Sequence, residues 1–290
     1  MFHSNASSLA AADDDVLGMP PAAVSNGGAL VICGGGDLPD EVYERFVDLA
    51  GGENARIVVI PTAYPFECID DAIACHSSWF DLSVKSVDFL HAETREEADD
   101  EGFVGPLVNA TGVWITGGDQ GRLADIYRGT RAEREIKRIL ERGGVVGGTS
   151  AGASIMSRTM IRAGSLQEAV VDDGFALVSR TVIDQHFLIR SRQERLFNVL
   201  STHRDQIGIG VDESTALFVQ GSRLRVVGES IVVVCLAESE DRPEWMCRLK
   251  AGDVAQIVTR FDSEDALGRL DVRLQRRAPQ EIARETSPAE

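Results

Sequence analysis

The sequence predicts a doubly wound α/β fold, a mostly parallel sheet with helices on both faces. Three observations carry this. Short valine- and isoleucine-rich runs recur along the first half of the chain and are apolar on both faces, as parallel strands covered by helices are. The segments between them repeat their apolar residues at three and four positions, the period of a helix lying on a sheet. Most of the runs close on glycine or a turn, the punctuation of a strand passing into a helix.

Taken in order, residues 1–27 lack a basic leader region, and Asp13 to Asp15 break any apolar stretch. A flexible arm is expected there rather than a signal peptide. Strands are expected in ALVICGGG (29–36), RIVVIPTAY (56–64), VKSVDFL (84–90), GVWITGGD (112–119) and GVVGGTS (144–150). Helices are expected in LPDEVYERFVDLA (38–50), ECIDDAIACHSSWF (67–80) and GTRAEREIKRILERG (129–143). After Thr181 the texture changes. There IGIGVDESTALFVQG (207–221) and RLRVVGESIVVVCLA (223–237), with glycines between apolar stretches, read as antiparallel strands that extend the sheet or cap its edge. Residues 28–260 are expected to form one α/β unit, and 261–290 a charged tail whose last ~15 residues stay disordered.

Composition narrows the function. With 43% hydrophobic and 26% charged residues, the chain has the profile of a soluble globular protein. A net charge of −17 argues against nucleic acid as a partner, because clustered cations are needed to displace counterions. The five cysteines form no C-x-x-C pair, so neither a disulfide framework nor a structural zinc site is expected, and a cytoplasmic setting follows. No run approaches the ~18 apolar residues of a membrane helix.

The chemistry concentrates around Gly148-Thr149-Ser150-Ala151-Gly152, a G-x-S-x-G after an expected strand. A nucleophile on a sharp strand-to-helix turn needs small neighbours, because the backbone doubles back on itself. The bland alternative is a tight turn with Ser150 capping a helix. A serine nucleophile needs a base. Of His3, His76, His91, His186 and His203, only His186 sits in a dense polar context at a strand end, IDQHFLIRSRQERL. A carboxylate must then orient the imidazole, and Glu168, Asp172, Asp173 and Asp184 are the candidates between serine and histidine. ITGGDQ (115–120) closes its strand on two glycines. Exposed amides there, Gly118 among them, together with that of Ala151, can form an oxyanion hole.

The three blocks ITGGDQGRL, GGTSAGAS and IDQHFLIRSRQERL together resemble the signature of the cyanophycinases, serine peptidases of the dipeptidase E family. The third block, D-Q-H-F followed by R-x-R-x-x-R, is the discriminating one. The resemblance implies a fold similar to class I glutamine amidotransferase-like domains, with no metal and no cofactor. It also implies Ser150 as nucleophile, His186 as base and Glu168 as the third member, with Asp172 or Asp173 as substitutes. Gln120, Asp184, Gln185, Arg190, Arg192 and Arg195 fall on positions the family uses for substrate. The implied partner is cyanophycin, a poly-aspartate chain with arginine on each side-chain carboxyl, and relatives suggest a homodimer. The arginines can clamp carboxylates in bidentate fashion, while Asp184 and the amide oxygens of Gln120 and Gln185 accept guanidinium protons. The rivals are an aspartyl or isoaspartyl dipeptidase, an α/β-hydrolase esterase and a non-catalytic binder.

Overall fold

The computed structural model describes residues 27–240, 243–258 and 273–274. Apart from Gly27, Arg273 and Leu274, the expected arm (1–27) and tail (261–290) lie outside them.

Five strands form the parallel half of the main sheet: β1 (Ala29–Cys33), β2 (Arg56–Ile60), β3 (Ser86–Phe89), β4 (Gly112–Ile115) and β5 (Val145–Thr149). They run in spatial order β3-β2-β4-β5-β1. β6 (Thr159–Gly164) and β7 (Ala169–Asp173) make a separate hairpin. β8 (Thr181–Gln185) and β9 (Ile207–Val211) are parallel neighbours in a second sheet. β10 (Thr215–Gln220) and β11 (Arg223–Gly228) return to the main sheet, antiparallel on the β1 side. β12 (Ile231–Leu236) and β13 (Trp245–Lys250) complete the second sheet. β14 (Val254–Val258) and β15 (Arg273–Leu274) close the main sheet, which has nine strands among the described residues.

The helices are α1 (Asp40–Ala50), α2 (Ile69–Cys75), α3 (Arg95–Ala98), α4 (Gly105–Asn109), α5 (Gln120–Tyr127), α6 (Arg131–Glu141), α7 (Ala151–Ser154) and α8 (Gln193–Thr202). Alternation along the strands sends side chains to two cores. Leu30 and Ile32 join Val58, Val113 and Val146 beneath α5, α6 and the second sheet. Val31 and Cys33 join Ile57 and Trp114 beneath α1. α1 presents Val42, Phe46 and Ala50 at four-residue spacing, so one stripe faces the sheet. Gly51 stops the helix at φ 111, in the left-handed region that favours glycine. α8 packs Leu196, Val199 and Leu200 against Val182, Val233 and Cys235, covering the outer face of the second sheet.

The doubly wound sheet with added antiparallel strands is the predicted fold class, with one difference. IGIGV was expected to be antiparallel, yet β9 lies parallel to β8 and antiparallel to β12. Its two glycines explain the placement. A Cβ on Gly208 would meet Leu200 Cδ1 at 2.6 Å, and one on Gly210 would meet the Phe187 ring at 2.5 Å. The strand is therefore shaped to lie under α8 and the turn after β8.

Candidate active site

Strand register brings four chain segments to one edge. β1 pairs with β5 so that Cys33 faces Thr149, which places Ser150 beside Gly34. β8 pairs with β9 so that Gln185 faces Val211, which sets His186 beside Asp212 and Glu213. β1 pairs antiparallel with β10 so that Cys33 faces Ala216, which returns Glu213 toward Gly34–Gly36. Backbone hydrogen bonds lock the meeting point: Ser150 N–H donates to Cys33 O (3.0 Å), His186 N–H to Gly34 O (2.8 Å) and Ser214 N–H to Gly35 O (2.9 Å).

Ser150 occupies φ 53, ψ −110, a conformation L-residues rarely adopt. Its neighbours explain how the turn closes. A Cβ on Gly148 would lie 2.6 Å from Gly152 C, and one on Gly152 would lie 2.1 Å from Ile115 O. Only glycine fits either place. The Ser150 hydroxyl then lies 2.9 Å from His186 Nε2, and His186 Nδ1 lies 2.5 Å from Glu213 Oε1. A carboxylate only accepts, so Nδ1 carries the proton and Nε2 is left to receive the serine hydroxyl proton. His186 is buried, and burial holds its imidazole below the ordinary value. Glu213 opposes that shift, while Arg190 and Arg192 add to it. The ring is therefore neutral at pH 7, the state a base requires.

The GGG run after β1 presses on this chain. A Cβ on Gly35, at φ +102, would sit 2.3 Å from His186 Cε1, and one on Gly34 would sit 1.9 Å from Asp212 O. Asp212 steers the turn after His186: one carboxylate oxygen accepts from Leu188 N–H (2.9 Å) and Ile189 N–H (3.1 Å), the other from the Ser230 hydroxyl (2.7 Å).

The expected third member is corrected by this geometry. Glu168 lies exposed in the β6–β7 turn, where its backbone bonds to Ser165. Asp172 pairs with Arg128 (2.5 Å) and Arg162 (3.1 Å), and Asp173 is exposed. None of them meets His186 Nδ1; Glu213 does. The acid follows the base in the chain rather than preceding it, because the parallel β8–β9 pairing delivers the next strand end to the same place. The available signal was Asp-Glu directly after a glycine-spaced apolar run, IGIGVDES.

Gly118 takes φ +141, and a Cβ there would lie 2.4 Å from Ala63 O. Its neighbour Gly117 lies against the nucleophile, its would-be Cβ 3.3 Å from Ser150 Cβ. Among the described residues, the amides of Gly118 and Ala151 have no backbone acceptor. Gln120 donates its side-chain amide to Ile161 O and Arg162 O (both 2.9 Å), tying α5 to β6.

The expected substrate cluster is largely turned inward in this structure. Arg195 grips Asp184 with two N–H groups, and both residues are buried, at 6% and 1% exposure. Arg192 donates to Gln185 O (2.7 Å) and Gln185 Oε1 (2.6 Å). Burial, aided by Arg195, pulls the Arg192 guanidinium down to about 10. A buried carboxylate must be paired, so β8 and α8 satisfy their charges against each other before any ligand arrives. Arg190 is exposed and has no side-chain partner among the described residues. No group of three or more His, Cys, Asp or Glu positioned to hold a metal occurs among the described residues.

Residues 30–227 match the model of peptidase family S51. A cyanophycinase of Synechococcus elongatus is 34% identical over 204 residues, covering 67% of this chain and 62% of that protein. The match thus spans less than two thirds of the relative's own length. A cyanophycinase of a Nostoc species is 33% identical over 220 residues, covering 71% of this chain and 72% of its own. The crystal structure of a peptidase from an acI-B1 Actinobacterium superposes with a TM-score of 0.63 at 26% identity, over 80% of this chain and 98% of that one.

Proposed function

The chain belongs to peptidase family S51, and from that premise we propose that it is a serine exopeptidase that hydrolyses cyanophycin to β-aspartyl-arginine dipeptides. The observation that carries the reading is the hydrogen-bonded series Ser150–His186–Glu213. In this mechanism the Ser150 oxygen attacks the carbonyl carbon joining two units while its proton passes to His186 Nε2. The oxyanion gathers on the amides of Gly118 and Ala151, each such donor being worth about 3–4 kcal/mol of barrier. Collapse breaks the C–N bond, and His186 returns the proton to the departing amine. Water then attacks the acyl-enzyme with His186 again as base, releasing the carboxylate and Ser150. Glu213 keeps Nδ1 protonated throughout, and exposed Arg190 supplies a cation for a substrate carboxylate.

Replacing Ser150 by alanine is expected to abolish release of β-aspartyl-arginine from purified cyanophycin, read by mass spectrometry, while the fold persists. Dipeptide release at the parent rate would overturn the mechanism. One observation favours a second reading, a dipeptidase for short aspartyl or isoaspartyl peptides. Asp184 with Arg195, and Gln185 with Arg192, are already paired, which leaves fewer groups for a large substrate. Cleavage of isoaspartyl dipeptides with none of the polymer would select it.

No described helix is long and apolar enough to cross a membrane. We place the protein in the cytoplasm as a homodimer, with residues 28–260 as its peptidase unit. Cys33 and Cys235 are buried free thiols, which supports a reducing compartment, and the family resemblance supports the dimer. Light scattering tests the assembly.

A further inference from the structure

The nucleophile has a second neighbour, on the α1 face of the main sheet. A cavity of about 460 Å³ is bounded there by α1, the 3-10 turn Ser77–Asp81, and the carboxyl ends of β4 and β5 at Thr116, Gly117 and Thr149. Thr149 immediately precedes Ser150, and Gly117 lies against the Ser150 side chain, so the cavity borders the turn that carries the nucleophile. Its size falls in the range of small-ligand sites, roughly 300–1,000 Å³.

Its lining has a definite chemistry. Tyr43, Trp79 and Trp114 form an aromatic wall, with ring centroids 5.3–5.6 Å apart. Tyr43 and Glu44 follow Asp40 at three and four positions, on one side of α1, and Asp81 faces them from the 3-10 turn. Those three carboxylates are exposed, none is in an ion pair among the described residues, and no lysine or arginine lines the cavity. Burial first, then Cys33, Asp37 and Asp40, push the Tyr43 phenol up to about 12. Aromatic faces flanked by unneutralised carboxylates suit a flat, weakly hydrated cation, which stacks on the rings while its N–H groups meet the acids.

We propose that this cavity is a subsite for a guanidinium-bearing side chain of the substrate, held by Tyr43, Glu44, Asp40 and Asp81. The inference rests on the peptidase reading and adds a direction to it. Substrate carboxylate meets Arg190 on the His186 side, and substrate cation meets the aromatic and acidic cavity on the α1 side.

The test uses Ser150→Ala protein, which binds without turnover, and a soluble three-unit β-aspartyl-arginine oligomer followed by calorimetry. Adding Glu44→Gln and Asp81→Asn is expected to weaken binding at least tenfold. The same oligomer carrying citrulline, neutral and nearly isosteric with arginine, is expected to bind both proteins with equal, weak affinity. These acids are exposed, and unchanged melting temperatures verify the fold; Tyr43→Leu, removing only the ring, gives a second measurement with the same expected loss. Equal affinity for the arginine and citrulline oligomers, or no change in the acid-to-amide protein, would overturn the subsite. Persistent turnover after Ser150→Ala would instead overturn the catalytic reading, and the subsite is then read from the KM of that protein with and without the two acid-to-amide changes.

Discussion

Two regions are rich in carboxylates and arginines, and they do opposite things with them. Where the β6–β7 hairpin meets the end of α5, Arg128, Arg162, Asp125 and Asp172 form a network open to water, with Arg162 donating to both acids. In β8 and α8, Asp184 and Arg195 are buried against each other, and at the turns after β8 and β9 His186 meets Glu213. Water screens the first network, so each pair there adds little. The second is shielded, so each group demands a partner, and the partner's geometry becomes rigid. Residue types alike in sequence thus yield a decorated surface in one region and a positioned imidazole in the other.

The comparison breaks most sharply at the third member. Glu213→Gln is expected to cut kcat by roughly 10⁴, the size seen when a triad acid loses its charge but keeps its shape. Glu168→Gln, in the hairpin, is expected to leave kcat unchanged; steady-state kinetics on cyanophycin reads both. Comparable losses in the two variants would erase the distinction. Next comes stability. Asp184→Asn strands the buried Arg195 and is expected to cost about 3–5 kcal/mol by denaturant titration, whereas Asp172→Asn is expected to cost about 0.2–1 kcal/mol.

A smaller effect probes the packing of the ring itself. Gly35→Ala puts a methyl into the space of His186 Cε1 at a positive φ, and is expected to cost about 1–3 kcal/mol through overpacking. Its activity loss should exceed its stability loss, because displacing the ring spoils the 2.9 Å contact with Ser150. The smallest effect is on pH. The base form of His186 is needed, so kcat/KM should fall as pH drops through a pKa below the ordinary 6.5, since burial dominates the shift. Glu213 acts to raise that pKa, so Glu213→Gln should move the residual acid limb to lower pH. An acid limb that moves upward would show that Glu213 does not face the imidazole as described.

Much of the site could be read without coordinates, and the reason is local. Gly148 and Gly152 report a turn too tight for side chains, so Ser150 stood out from its immediate neighbours. His186 stood out because polar residues clustered at an apolar strand end. Glu213 escaped because it lies 27 residues beyond its partner, and only the parallel pairing of β8 with β9 joins them. Sequence cannot tell an arginine aimed inward from one aimed outward, so the arginines after His186 all look alike as ligands for substrate. Burial made that decision: Arg195 turns in to Asp184, while Arg190 stays outside.

Periodicity, glycine placement and one compact motif were enough to set the α/β class, the strand-to-helix turn and its serine, because each depends on contacts a few residues apart. Which carboxylate faces the imidazole, which cations face solvent, and that aromatic and acidic side chains from α1, the 3-10 turn and β4 enclose one cavity were decided only by tertiary structure. Those facts depend on strand register and on desolvation, and both arise only when distant segments pack together.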